Sequence, residues 1–376
     1  RSLVDVKGYE AYVIHKFPEN VSTNLSIPSF CFPDASIFKP GSVSATSESY
    51  SFVMTYGDGS RVYGYCRRIQ PPDVSLPEVI CIISPIDAFN MYNELLNEIE
   101  ARRKMSMDVA LELIAASFGR PLPKPGKVIH IRTLDSKMEM ETIFLKRPAD
   151  NRLQNVNYES PLYYLGTDKL VKVFAAMLME RNIMLCSSNL SVLTQTVHAL
   201  AALLYPFQWQ HVYIPLLPSE MLDVVCAPMP YVLGVLSAFL PQVLKKDLSQ
   251  YILIVDLDKK SIVRCVGDEA NLLPRKVQRA LKSAINLCKI DNEARNAQWL
   301  VVAEAFLRMF IETVGHFGTH IQTQQDGVRI FQKEAFIMEV VSKETRQFLE
   351  WFTETQMFDV FISNHLEKTD CGTSGM

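Results

Sequence analysis

The sequence predicts an α/β fold in two lobes, and three observations support this prediction. Short alternating runs fill residues 1–118 and indicate a compact N-terminal α/β module. Further along, continuous apolar runs alternate with helical patterns, which indicates a central, mostly parallel sheet covered on both faces. Beyond Pro274 the pattern becomes almost entirely helical. We therefore expect a C-terminal lobe that joins this central sheet to an all-helical downstream region.

The N-terminal module contains four runs with the period of strands, namely "YEAYVIHKF", "SYSFVMTY", "RVYGYCRR" and "EVICIIS". The "YGDGS" between the second and third runs predicts a hairpin, because Asp-Gly supplies the positive φ that such turns require. Two helices are expected next, over "AFNMYNELLNEIEARRK" and "MDVALELIAASFG", because their apolar residues recur at helical spacing.

A proline-rich linker is predicted at "GRPLPKPGK", residues 119–127, which suits neither a helix nor a paired strand. The central region, 128–268, is expected to open with two strands, "KVIHIRTL" and "METIFLKRP". The buried runs "IMLCS", "HVYIPLL", "YVLGVLS" and "YILIVDLD" then indicate parallel strands. We expect the helical downstream region to cover 269–366 and the tail at 367–376 to be frayed.

Composition narrows the class of protein. A chain of 376 residues, 48% of them hydrophobic, can bury a large core. The net charge of −3 and the pI of about 6.2 argue against a general attraction to nucleic acid. Prolines interrupt the longest apolar stretches, so no membrane-spanning helix is predicted.

The eight cysteines are scattered and form no C-x-x-C pair. Most lie in apolar runs, where a reduced thiol behaves as a small hydrophobic side chain. We therefore expect a reducing, cytoplasmic compartment. The chain begins at Arg1 without a signal-peptide pattern, and we expect it to be a piece of a longer polypeptide.

Common catalytic motifs are absent. The sequence has no phosphate-loop, dinucleotide-binding, nucleophile-elbow or zincin motif. His316 and His320 are four residues apart, as a metal pair on a helix would be. Gly315 and Gly318 disturb such a helix and no third ligand is evident, so we expect no metal site. His198 lies in an apolar helical pattern and is expected to be a hydrogen-bonded core histidine.

Two acidic candidates remain open. Asp223 could assist His211 as a general base, although no nucleophile accompanies them, so a structural role for His211 is favoured. Asp256 and Asp258 end a buried strand and could hold Mg²⁺. Without a phosphate loop, a solvated strand end is the favoured interpretation.

A basic stripe follows Pro274 in "LPRKVQRALKSAINLCK". Arg275, Arg279 and Lys282 lie opposite an apolar face if this segment is a helix. The stripe could contact an anionic membrane or an acidic partner. A solvated helix face is the alternative.

Several separated motifs, taken together, resemble one family. They are "SFCFPD" (29–34), "SFVMTYGDGSRVYGYCRR" (51–68), "LPEVICIIS" (76–84), "LLYPFQWQHVYIPLLPSEMLDVVCAPMPYVLGV" (203–235), "LLPRK" (272–276) and "FIETVGHF" (310–317). In this order they resemble the DENN-domain proteins, with upstream, central and downstream parts over nearly the whole chain. These motifs are most similar to those of the DENN-domain-2 subgroup.

The resemblance implies a function and an architecture. DENN domains are guanine nucleotide exchange factors for Rab-family small GTPases, with a longin-like N-terminal lobe and the GTPase held between the lobes. Such a factor acts by differential binding and needs no nucleophile. A non-catalytic Rab effector or trafficking adaptor is the alternative, and a hydrolase built on His211 and Asp223 is a third hypothesis.

The resemblance also suggests which side chains bind the Rab, because apolar and aromatic residues beside prolines suit a preorganised interface. We expect no cofactor, no metal and no nucleic acid, and we expect peripheral recruitment to trafficking membranes. Any of the candidate residues could instead belong to the core, Trp209 and Phe32 above all. The candidates are Phe32, Arg67, Arg68, Phe207, Gln208, Trp209, Met229, Pro230 and Tyr231.

Overall fold

The computed structural model describes residues 9–20, 26–38, 47–71, 76–135, 139–150, 156–288 and 295–367. Two hydrophobic cores organise them. The larger core surrounds the central sheet and extends into the N-terminal sheet, and the smaller core lies under the two long N-terminal helices. The predicted α/β fold with N-terminal strands, a largely parallel central sheet and C-terminal helices is confirmed.

A three-stranded antiparallel sheet forms the centre of the N-terminal lobe, in the order β1-β2-β3. The turn between the first two strands contains Gly59 with a φ of 84°, so the predicted hairpin is confirmed. The strands are β1 (Glu48–Thr55), β2 (Arg61–Ile69) and β3 (Glu78–Ser84). The helices of this lobe are α1 (Ile27–Cys31), α2 (Phe89–Arg103) and α3 (Met107–Phe118).

The strand predicted over "YEAYVIHKF" is wrong. Residues 9–17 form neither helix nor strand. Tyr12 and Val13, which would point to opposite faces of a strand, are 78% and 46% exposed. A strand gains its hydrogen bonds from a neighbouring strand, and the described strands pair with one another instead. The alternation in the sequence therefore has no sheet to join.

The predicted linker at 119–127 contains neither helix nor strand. It leads into an antiparallel hairpin of β4 (Val128–Leu134) and β5 (Met140–Lys146). Ile131 and Leu145 of this hairpin pack into the smaller core with residues of α2 and α3. Because that core belongs to the N-terminal lobe, we propose that the lobe extends to residue 146 rather than to 118.

The central sheet has the order β10-β9-β6-β8-β7. Four neighbouring strands are parallel, and β10 is antiparallel to β9, so the predicted parallel arrangement is confirmed. Its strands are β6 (Asn182–Ser187), β7 (Val212–Ile214), β8 (Tyr231–Leu236), β9 (Ile252–Asp256) and β10 (Ser261–Arg264). The accompanying helices are α4 (Glu159–Leu178), α5 (Leu190–Ala202) and α6 (Leu240–Val243).

The downstream region is mainly helical, and a short hairpin of β11 (Ile321–Thr323) and β12 (Arg329–Phe331) interrupts it. Its helices are α7 (Arg275–Cys288), α8 (Arg295–Val314), α9 (Lys333–Glu339), α10 (Lys343–Phe352) and α11 (Gln356–Glu367). The tail predicted to fray lies outside the described residues from 368 onward. No described helix combines the length and apolar character needed to cross a bilayer.

The two lobes touch along β1 and β2. Glu48 of β1 accepts the backbone N–H groups of Leu190 (2.8 Å) and Ser191 (3.3 Å), at the start of α5. A carboxylate is favourable there because the first N–H groups of a helix lack partners within the helix. At the far end of β2, Arg61 donates to the carbonyl of Trp209 at 2.7 Å. The lobes are therefore joined by polar contacts at both ends of the strand pair.

His198 links the lobes between these contacts. Its Nε2 lies 2.9 Å from Ser51 Oγ in β1, and its Nδ1 lies 2.9 Å from Tyr213 Oη in β7. Burial lowers the pKa of His198 to about 4. The hydrogen-bonded core histidine predicted from the sequence is therefore present, and its neutral form is the one that the fold favours.

We expect the chain to lose stability through His198 as the pH falls. Between about pH 6.5 and about pH 4 the unfolded chain binds a proton at this position and the folded chain does not. The difference amounts to about 3 kcal/mol at most, and partial exposure of the ring lowers our expectation to about 2 kcal/mol. Urea unfolding of the unmodified chain and of His198→Gln at several pH values checks this.

His198→Gln should flatten the loss over that pH range, whereas His15→Gln, at an exposed position, should leave it unchanged. Equal pH dependence in all three proteins would contradict the assignment to His198.

Candidate functional site

Arg68 and Phe32 form a brace in the N-terminal lobe. Arg68 donates two hydrogen bonds to the Asp34 carboxylate, at 3.0 and 2.7 Å, and its guanidinium lies 5.1 Å from the centre of the Phe32 ring. Only 7% of Arg68 is exposed. This bidentate, largely buried pair fixes the segment after α1 to the end of β2.

Arg67 is engaged within the same lobe. Its Nε lies 2.6 Å from a Glu100 carboxylate oxygen, and its Nη1 donates to Ser49 Oγ at 2.8 Å. Burial alone would raise the pKa of Glu100, but donors from Lys104, Ser47 and Arg67 outweigh it and lower the pKa. A partner protein that recruits Arg67 would have to break this ion pair.

The segment before β7 alternates between core and surface. Phe207 and Trp209 are each 3% exposed, whereas Gln208 between them is exposed. Trp209 Nε1 donates to the Val212 carbonyl at 3.0 Å. Phe207 lies among the rings of downstream helices, with centroid distances of 4.5 Å to Phe361 and 4.9 Å to both Phe310 and Phe352. Gln208 is therefore the accessible side chain of these three candidates.

The segment before β8 has a similar division. Tyr231 is fully buried, and its hydroxyl donates to the Val225 carbonyl at 2.9 Å. Met229 is 50% exposed, and Pro230 is partly exposed. Val212 of β7 pairs with Tyr231 of β8 in a parallel register. Gln208 and Met229 therefore precede neighbouring strands and lie at the same edge of the central sheet.

A cavity of about 430 Å³ opens at this edge, where β6, β8 and β9 begin. Two aromatic residues on its wall are accessible, since Tyr251 is 53% and Trp351 41% exposed. Sequence reasoning missed both, although an aromatic residue directly before a buried parallel strand, as at Tyr251, is a usable signal. The lining residues are Met179, Glu180, Arg181, Asn182, Pro228, Pro230, Ser249, Tyr251, Asp268, Leu272 and Trp351.

Glu180 connects the cavity to two other segments. Its carboxylate accepts the N–H groups of Gln356 (3.0 Å) and Met357 (2.8 Å) at the start of α11, and it lies 2.9 Å from His211 Nε2. Burial opposes ionisation, but these partners outweigh it and lower the pKa of Glu180. The cavity wall is thereby tied to the segment that carries Gln208.

Sequence profiles of three domain families match the chain in order. The uDENN domain matches residues 11–69, the DENN (AEX-3) domain 75–260 and the dDENN domain 331–375. The chain is also 36% identical over 371 residues to DENN domain-containing protein 2D of Mus musculus, which covers 94% of this chain and 78% of that protein. The chain belongs to the DENN-domain family.

Two longer DENN relatives match equally broadly. DENN domain-containing protein 2B of Homo sapiens is 40% identical over 363 residues, 93% of this chain and 32% of that protein. Human protein 2A is 41% identical over 352 residues, 90% of this chain and 35% of that protein. This DENN chain therefore spans about a third of the length of these relatives, and the subgroup predicted from the motifs is confirmed.

The basic stripe of this DENN chain is partly paired. Lys282 Nζ lies 2.6 Å from Asp168 Oδ1, and Arg275 Nε lies 3.8 Å from Glu344 Oε1. Arg279 is exposed and its Nε donates to the Arg275 carbonyl at 3.4 Å. Contact of this stripe with an anionic surface stays a prediction.

The acidic candidates of the DENN fold have structural partners. Asp258 accepts hydrogen bonds from Ser187 Oγ, Ser188 N and Ser237 Oγ at 2.7 to 2.8 Å. Asp256 is 2% exposed and lies 3.0 Å from Lys259 Nζ. The favoured interpretation of a solvated strand end is therefore wrong for Asp256, because its carboxylate is buried against the lysine and the following turn.

The histidine candidates are likewise engaged. Asp223 pairs with Lys246 at 2.6 Å rather than with His211, whose charged neighbour is Glu180. His211 and Asp223 are therefore not paired with each other, as a general base of this kind would require. His320 contacts the Glu339 carboxylate, and His316 Nε2 lies 3.3 Å from the Phe336 carbonyl.

Proposed function

We propose that this chain is a guanine nucleotide exchange factor for a Rab-family small GTPase in membrane trafficking. One observation carries the proposal: upstream, central and downstream DENN domains occur in order in one chain that resembles the 2A, 2B and 2D proteins over most of its length. The factor would work from the cytoplasm at the surface of trafficking membranes.

The mechanism requires no covalent chemistry. A GTPase orders its switch loops around the nucleotide phosphates and Mg²⁺. A partner that binds the empty conformation more tightly than the loaded one must weaken nucleotide binding by the same factor, because binding free energies are linked. The DENN chain then supplies only a surface of the right shape and releases the GTPase when GTP enters.

The accessible candidates support one contact surface. Pro230 lines the cavity together with exposed Tyr251 and Trp351. Gln208 and Met229 are exposed and precede neighbouring strands at the same edge of the central sheet. The cavity wall combines two exposed aromatic side chains with polar and charged groups, a mixed composition that suits a protein interface.

The remaining candidates, which are buried or partly buried, have a supporting role in this proposal. They hold the loops and the two lobes in the shape that the GTPase meets, and each has partners within the chain. These residues are Phe32, Arg67, Arg68, Phe207, Trp209 and Tyr231.

Exchange is tested by release of a fluorescent GDP analogue from a panel of purified Rab proteins. We expect strong acceleration for one or a few of them. Met229→Asp should slow that exchange by about tenfold, because a desolvated apolar contact of about 1.4 kcal/mol is lost and a charge is introduced. Both proteins should keep the same thermal unfolding midpoint, since Met229 is half exposed.

Met338→Asp is the matched control, because this methionine is 63% exposed on α9. No acceleration of any Rab, together with binding to a GTP-loaded Rab, would favour the effector alternative. Equal exchange by the two aspartate variants would overturn the contact surface while leaving the exchange activity standing.

A further inference from the structure

Three cysteines that are far apart in the sequence meet beside the N-terminal sheet. Cys31 ends α1, Cys66 lies in β2 and Cys81 lies in β3. Their sulfur atoms lie within 4.8 Å of one another, and those of Cys31 and Cys66 are 3.9 Å apart. Cys31 is 7% exposed, Cys66 is fully buried and Cys81 is partly buried, so two of the three thiols are closed to solvent.

The backbone fixes the three positions. Cys66 and Cys81 are direct partners in the β2–β3 register, so their side chains stand side by side on one face of the sheet. Above them, Tyr50 donates a hydrogen bond to the Cys31 carbonyl, and Phe30, next to Cys31, stacks at 4.8 Å on Phe52. Buried anchors in β1 thus hold α1 over the strand pair.

The sulfur separations suit a bound metal ion. A metal–thiolate bond is about 2.3 Å long, so three sulfurs around a central ion are about 4 Å apart. The 3.9 Å between the Cys31 and Cys66 sulfurs agrees with that figure. The third sulfur lies within 4.8 Å of the other two, so a shift of less than about 1 Å brings it to the same distance. Arg68 lies two residues after Cys66 and faces the same side of β2, where its positive charge favours thiolates.

We propose that Cys31, Cys66 and Cys81 form a binding site for one soft metal ion of the Cu(I) type, held by three sulfur atoms. Thiolates select soft ions, whereas structural zinc takes four ligands. Among the described residues this cluster comprises three ligand groups, which favours a three-coordinate ion. On binding, the thiol protons pass to solvent and sulfur–metal bonds replace the S–H bonds. This site is independent of the proposed exchange activity.

Anaerobic titration with Cu(I) against a chromophoric chelator tests the site. The background protein carries serine in place of Cys226, Cys265, Cys288 and Cys371, which removes the remaining thiols except Cys186. We expect one Cu(I) per chain and, by X-ray absorption, three sulfur neighbours at about 2.3 Å. Cys66→Ala should weaken the affinity at least tenfold.

The matched control is Cys186→Ala, at a fully buried cysteine of β6, which should bind Cu(I) like the background protein. Circular dichroism of each metal-free variant shows whether it is folded. X-ray absorption of the unsubstituted cluster supplies the second readout if Cys66→Ala does not fold. Unchanged affinity in a folded Cys66→Ala, two sulfur neighbours, or tighter binding of Zn(II) with a non-sulfur fourth ligand would each overturn the proposal.

Discussion

Gly234→Ala is expected to destabilise the fold by 3 kcal/mol or more, on the order of the largest effects of single substitutions. A Cβ at this position would stand 1.9 Å from the Pro215 carbonyl oxygen and 2.8 Å from its carbon. Neither partner can easily retreat, because Leu217 N donates to the Gly234 carbonyl at 2.8 Å and β8 is paired on both sides. Overpacking against backbone is therefore relieved only by breaking the sheet.

The measurement is the urea midpoint of unfolding, compared with that of Gly57→Ala. A Cβ at Gly57 would meet nothing within 4 Å, so that control should stay within about 0.5 kcal/mol of the unmodified chain. A Gly234→Ala midpoint close to that of the control would show that the sheet tolerates the side chain and would contradict the prediction.

Phe207→Ala is expected to cost about 3 to 5 kcal/mol of stability. The ring is 3% exposed and lies between rings of α8, α10 and α11, so its removal leaves a cavity between the central and downstream regions. Thermal and urea unfolding measure the loss. Phe207→Leu should recover most of it, because the substitution keeps much of the apolar volume.

Gln208→Ala separates the structural role from a role in binding. Its side chain is exposed, so stability should change by less than about 0.5 kcal/mol, while exchange should fall if Gln208 contacts the GTPase.

A Phe207→Ala protein that remains as stable as the unmodified chain would contradict the placement of the ring in the core.

The local patterns of the sequence predicted most strands because each strand here buries a regular set of side chains. The fully buried runs of β6, β8 and β9 identified a parallel sheet, since only strands covered on both faces lack polar alternation. The run at 9–17 was wrongly predicted to be a strand. Its alternation is real, but a strand also needs a neighbour, and the sequence does not say whether one is present.

The site was less accessible to sequence reasoning. Phe207, Gln208 and Trp209 are consecutive, and their inward or outward direction depends on contacts with Phe352 and Val212. Those partners come from tertiary structure rather than from any local period. The proximity of the three cysteines could not be predicted from the sequence either. The β2–β3 pairing and the position of α1 bring them together, and both depend on tertiary structure.

Glu180 links the cavity to the N-terminus of α11. The same carboxylate lines the cavity and accepts the first N–H groups of α11. A ligand that engages this carboxylate competes with the terminus of the last helix, and a ligand that leaves it in place does not. Binding of a ligand that engages Glu180 and fraying of α11 are therefore thermodynamically coupled, and the protection of the α11 amides against hydrogen exchange reports on such binding.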